Sequence, residues 1–157
     1  MHEIQALIGS DATTTAVVRR WSEARRLELN GGFFIVPLQP ALVCQMMGSD
    51  WLLPDLDDAD EAETLIVVVA PLVHSLRSSD LNGQLALVFT QYWGGPGNQA
   101  ALLLTDDLEF AKPIVGFGAI NSVLSKLGVR ADPERDEFET VGLGRWRSTE
   151  TIFKNAR

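Results

Sequence analysis

The chain has 157 residues, 46% of them hydrophobic, at a mean hydropathy of +0.07, which is enough apolar material for a packed core and excludes wholesale disorder. Acidic residues outnumber basic ones 21 to 13, giving a formal charge of -8 and a pI near 4.7. Such a surface repels nucleic-acid phosphates and anionic lipid and favours encounter with a basic partner.

In chain order, residues 3–8 read as a first strand ending at Gly9. Ser10 and Asp11 are good N-cap residues for a helix predicted over 12–26, where Ala16, Val17, Arg20 and Trp21 recur at helical spacing. Arg19, Arg20, Arg25 and Arg26 fall in its C-terminal half, where cations complement the helix dipole. Asn30-Gly31-Gly32 stops it. Phe33-Phe34-Ile35-Val36 is a strand by propensity. Pro37 and Pro40 interrupt it, and residues 41–46 are predicted as a further strand. Cys44, the single cysteine, is expected to be a buried inert thiol in that apolar run; alone, it precludes an internal disulfide and a zinc site built on cysteine pairs.

Residues 55–63 hold six acids, Asp55, Asp57, Asp58, Asp60, Glu61 and Glu63, and read as an exposed loop or a first helical turn. Residues 65–73 fit two periods. Their valines suit a strand, while Leu65, Val69, Leu72, Val73 and Leu76 make one helical stripe; a helix reaching Ser78 is favoured, ended by Asn82-Gly83. This longest apolar run contains Pro71 and falls short of the roughly twenty residues of a membrane span. With Met1-His2-Glu3-Ile4 lacking the basic and apolar regions of a signal peptide, the expected localisation is cytoplasmic.

Residues 85–104 are predicted as a β-hairpin. Its arms, 85–89 and 100–104, are apolar enough for the middle of a sheet, and Gly94-Gly95-Pro96-Gly97 makes the turn. Residues 117–127 read as a helix with Ile120, Val123, Leu124 and Leu127 on one face and Gly128 closing it. Residues 132–139 are a polar loop or short helix, and Ser148-Thr149-Glu150 leads into a short terminal helix. The order predicts one domain over 1–157 of α+β (mixed α/β) class: a mostly antiparallel sheet, the hairpin 85–104 central, with helices packed on it.

Gly95-Pro96-Gly97-Asn98-Gln99-Ala100 matches the letters of the dinucleotide pattern G-x-G-x-x-A. That chemistry needs a helix N-terminus after the glycines, and 101–104 end too soon at Thr105-Asp106-Asp107 to supply one. As a hairpin tip, the segment gathers Tyr92, Trp93, Asn98 and Gln99, the amphipathic aromatics and amides of a recognition surface. Inward packing of Tyr92 and Trp93 is the plainer reading. Asp136 and Glu137, with Arg145 and Arg147, combine carboxylates and anion-holding guanidiniums. Their plainer reading is a salt-bridge network that orders the C-terminal segment. The acidic run 55–63 lacks the central glycine of a calcium loop and would present charge to a basic protein. His74 is expected on a helix beside Arg77. Without a nucleophile elbow, Walker loop or zinc motif, no cofactor and no metal are expected.

Several segments taken together, Ile4-Gln5-Ala6-Leu7-Ile8-Gly9, Tyr92-Trp93-Gly94-Gly95-Pro96-Gly97-Asn98-Gln99-Ala100-Ala101, Ala119-Ile120-Asn121, Leu127-Gly128-Val129, Asp136-Glu137-Phe138 and Gly142-Leu143-Gly144-Arg145-Trp146-Arg147, resemble a group of small bacterial proteins. The resemblance spans the chain and brings no catalytic residue with it. By general analogy, small acidic bacterial proteins are often immunity partners of toxins.

The expected function is therefore a non-catalytic protein-binding module, an immunity-type or regulatory inhibitor of a bacterial partner such as a basic toxin. It would act by occlusion, with Tyr92 or Trp93 as anchors. The alternative is a small-molecule-binding protein or enzyme. Its pocket would lie between the hairpin tip and the C-terminal segment, with Asp136, Glu137, Arg145 and Arg147 as polar groups and Trp146 as a wall.

Overall fold

In the middle of the central strands, at residues 6–8, 85–89 and 100–104, every side chain is apolar, so neither face of their sheet can be left to water. A computed structural model of the chain describes residues 2–48, 61–77, 81, 83–92, 98–105 and 113–157. The strands are β1 (His2–Ser10), β2 (Leu27–Glu28), β3 (Phe33–Pro37), β4 (Leu85–Tyr92), β5 (Asn98–Leu104) and β6 (Ile114–Val115). They form one six-stranded sheet in the order β2-β3-β1-β4-β5-β6. Its named ladders are all antiparallel. The helices are α1 (Asp11–Arg20), α2 (Pro40–Met47), α3 (Glu61–Arg77), α4 (Ala119–Leu127), α5 (Glu137–Val141) and α6 (Thr149–Asn155). The fold is α+β.

Alternation sorts the strand residues onto two faces. Leu7, Leu85, Leu87, Phe89, Ala100, Leu102 and Leu104 point to one side and pack with Val17 of α1, Leu42, Val43 and Met46 of α2, and Val69, Leu72, Val73 and Leu76 of α3. Ile4, Ala6, Ile8, Ala86, Val88, Ala101 and Leu103 point to the other, against Ile120, Val123 and Leu124 of α4, Val141 of α5 and Ile152 of α6. The sheet is thus covered by α1–α3 on one face and α4–α6 on the other. Antiparallel sheets commonly leave one face solvated; this one reads as continuously apolar because both faces are buried.

The hairpin has the expected central place, with Leu85 opposite Leu104 and Gln91 opposite Asn98. Its turn, residues 93–97, lies outside the described residues. So do residues 55–60 of the acidic run, the rest of which opens α3. The helical reading of 65–73 holds: α3 runs to Arg77 and carries His74 on its exposed side.

Three expectations are corrected. Residues 41–46 are helical, not a strand. Pro40 sits in the first turn of α2, where its missing N–H costs nothing, and Gly48 closes the helix in the left-handed conformation. Cys44 is consequently exposed rather than buried, because α2 aims Leu42, Val43 and Met46 at the core. Helix α1 stops at Arg20, not at residue 26. Trp21 takes an extended backbone and buries its indole, and Arg26 exchanges two backbone hydrogen bonds with Arg157, both 3.0 Å.

Among the described residues, no helix is long and apolar enough to cross a membrane.

Candidate functional site

Strand β3 stops pairing with β1 at Ala6, so the start of β1 needs another partner. The segment before α6 provides it. Glu3 N–H donates to the Arg147 carbonyl at 2.8 Å, Gln5 N–H donates to the Thr149 hydroxyl at 2.9 Å, and Glu3 and Ser148 form a parallel bridge. This fixes Arg147 at the end of the sheet where β4 turns into β5.

At the same end, Gln99 lies on the α4 side of β5, in phase with Ala101 and Leu103. Helix α4 begins at Gly118, which is left-handed (φ 82°) and has no side chain to cap the helix. The buried Gln99 side chain does it instead: Oε1 accepts the Ile120 N–H at 2.8 Å. The Gln99 carbonyl accepts from Gly116 N–H, also at 2.8 Å.

Helix α5 is seated on α4 by two side chains. Asp136 is its N-cap: Oδ1 accepts the Glu139 N–H at 2.9 Å. Asn121 Nδ2 donates to the other carboxylate oxygen at 3.1 Å, while Asn121 Oδ1 accepts the Phe138 N–H at 2.9 Å. Asp136 Oδ1 and Asn121 Oδ1 thus satisfy two first-turn N–H groups of α5 that have no partner within the helix, and the Asn121–Asp136 bond ties the two side chains together.

Between these elements lies a cleft of about 360 Å³, partly open to solvent. Gln99 and Asn121 form its polar floor, and Phe117 and Phe138 contribute aromatic surface. Asp136, Glu139 and Arg147 bring charge, and Gly118 and Gly144 complete the lining. Phe117 is fully exposed, on a turn flanked by two left-handed glycines. Gly144 is a close approach: a Cβ there would lie 2.6 Å from Glu139 Oε1, so the bare backbone makes room for that carboxylate.

Of the residues singled out from sequence, Gln99, Asp136 and Arg147 meet in this cleft. Asn98 does not line it; it is the neighbour of Gln99 on a strand and faces the opposite side. Glu137 borders a separate shallow depression with Ser125 and Arg130. Arg145 is exposed outside the cleft, near Gly142. Tyr92 ends β4 opposite His2, and Trp93 lies outside the described residues. Trp146 packs against the α4–α6 core instead of walling the cleft. The expected salt-bridge network is corrected. Among the described residues Asp136, Arg145 and Arg147 form no ion pair, and the nearby pair is Arg135 with Asp132. Capping hydrogen bonds order the segment instead.

Sequence reasoning missed Phe117, Asn121, Phe138, Glu139 and Gly144. Asn121, Phe138 and Gly144 stood inside quoted motif segments, but nothing local showed that those segments converge.

Among the described residues there is no group of three or more His, Cys, Asp or Glu side chains placed to hold a metal. No family model, no curated protein and no solved structure matches this chain.

Proposed function

We propose that the chain is a binding protein whose ligand, a small molecule, sits in the cleft at the hairpin end of the sheet. The observation that carries this is convergence. Gln99, Asn121, Asp136 with Phe138, and Gly144 with Arg147 come from four separate stretches of sequence and line one cleft of about 360 Å³. That volume lies within the roughly 300–1,000 Å³ of small-ligand sites, and aromatic walls with a few fixed polar groups are their usual make-up. The floor is preformed, because Gln99, Asn121 and Asp136 hold backbone amides of the protein itself. Glu139, Arg147 and the exposed Phe117 ring are left to face a ligand, and Phe138 lines the cleft beside them.

A thermal-shift screen of small metabolites tests the reading. A true ligand at about a hundredfold over its Kd adds about 2.7 kcal/mol of stability, a rise of roughly 5–10 °C in Tm for a chain of this size. The rise should saturate and should vanish in Arg147→Ala. No saturating compound, or stabilisation indifferent to that substitution, overturns the proposal.

A second reading, a protein partner, is favoured by Phe117. Among the described residues it is the one large apolar side chain that is fully exposed, and it stands at the cleft's rim. Exposed aromatics beside a concave site are typical interface anchors, and the net charge of -8 would steer a basic partner. Pull-down from a bacterial lysate with wild type and Phe117→Ala separates the readings: a partner lost with the ring supports this one.

A further inference from the structure

Resting on the small-ligand reading, we infer that the cleft takes a zwitterion of amino-acid type. Its ammonium is held by Glu139, its carboxylate by Arg147, and its apolar body lies against Phe117 and Phe138.

The argument starts from which charges are already committed. Asp136 has one oxygen on the Glu139 amide and the other on Asn121. Glu139 and Arg147 line the same cleft with opposite charges, and among the described residues neither side chain joins an ion pair or a hydrogen bond with a protein group. Two opposite unpaired charges in so small a space set the ligand's charge pattern. A simple anion would gain Arg147 and face repulsion from Glu139, and a simple cation the reverse. A molecule with both charges gains at both ends and loses at neither. The guanidinium fork suits a carboxylate, which it can grip with two parallel hydrogen bonds. Glu139 offers acceptors only, as an ammonium requires. The Glu139 carboxylate lies directly over the bare backbone of Gly144, where a Cβ would come within 2.6 Å of Oε1, so a side chain at Gly144 would push it out of this position. Phe117 and Phe138 add apolar surface to the same cleft, which favours an apolar or aromatic side chain on the ligand.

Calorimetry on the full chain with the proteinogenic amino acids tests this. The tightest binder is then compared with its own amine and acid; for L-phenylalanine these are phenethylamine and 3-phenylpropanoate. The expected result is saturable binding of one or more amino acids, with each single-charge analogue weaker by about tenfold or more. Glu139→Gln should weaken the amino acid but not the lone acid, and Arg147→Gln should weaken the amino acid but not the lone amine. Both side chains are exposed, so the ligand-free variants should keep the wild-type Tm. An analogue that binds as well as its parent overturns the zwitterion and leaves the small-ligand reading standing. So does failure of every amino acid alongside a saturating compound from the broader screen. Failure of both sets overturns both.

Discussion

Gln99 does for α4 what a serine or aspartate does at most helix starts, and it does so from a neighbouring strand. Replacing it with leucine keeps the volume but strands the Ile120 amide in a buried place. The expected loss is about 1–3 kcal/mol, read by chemical denaturation. A loss below about 0.5 kcal/mol, the size of an ordinary surface change, would show that the amide finds another acceptor. At the other end of the molecule, Asp11 is held by Arg26, whose guanidinium also stacks 4.1 Å from the Phe34 ring centre. The hydrogen bond and charge of Arg26 lower the Asp11 pKa below its ordinary 3.8. The unfolded chain therefore takes up this proton at higher pH than the folded one. The contribution is complete above about pH 3.8 and fades as pH falls through the lower, folded value. Asp11→Asn should flatten the acid limb of the stability curve in that window and lower stability by a constant amount above it, with the slope near neutrality unchanged. An identical acid limb in the variant would show that the pair is energetically silent. None of this was legible in the sequence: Gln99 read as a tip residue, and Arg26 as the last turn of a helix.

Helix α4 shows what local pattern can deliver. Ile120, Val123 and Leu124 recur at helical spacing, and all three are buried against the sheet as that spacing requires. Leu124 has no exposed surface, so Leu124→Ala should cost about 2–5 kcal/mol by lost burial and a residual cavity. Equilibrium unfolding measures it, and a cost under about 1 kcal/mol would mean the core collapses around the gap. Helix α2 shows where pattern fails. Pro40 punctuates a strand and opens a helix equally well, and Ala-Leu-Val-Cys-Gln-Met-Met satisfies both states locally. Packing of Leu42, Val43 and Met46 beside α3 decides it. Strands β2 and β6 have two residues each, too short to carry any period of their own; they exist only because β3 and β5 template them.

Across the whole molecule, β1, β4 and β5 lie inside the sheet and beneath helices on both faces. Their amides should exchange only by global opening, while those of α5 and of the turn carrying Phe117 should exchange through local opening. Native-state hydrogen exchange checks this, and equal protection throughout would contradict a layered molecule with a looser site. The composition, the continuously apolar arms of 85–104 and the helical stripes of 65–76 and 117–127 were enough to determine an α+β fold with that hairpin at its centre. Burial and periodicity are written locally, one residue after another, and can be read in that form. The tertiary structure alone decided that Gln99 faces α4 while Asn98 faces away, and that Asp136 caps a helix instead of pairing with an arginine. It alone brought Phe117, Glu139 and Arg147 to one cleft. Those outcomes depend on which element packs beside which, and contacts between residues so far apart in the chain leave no local pattern.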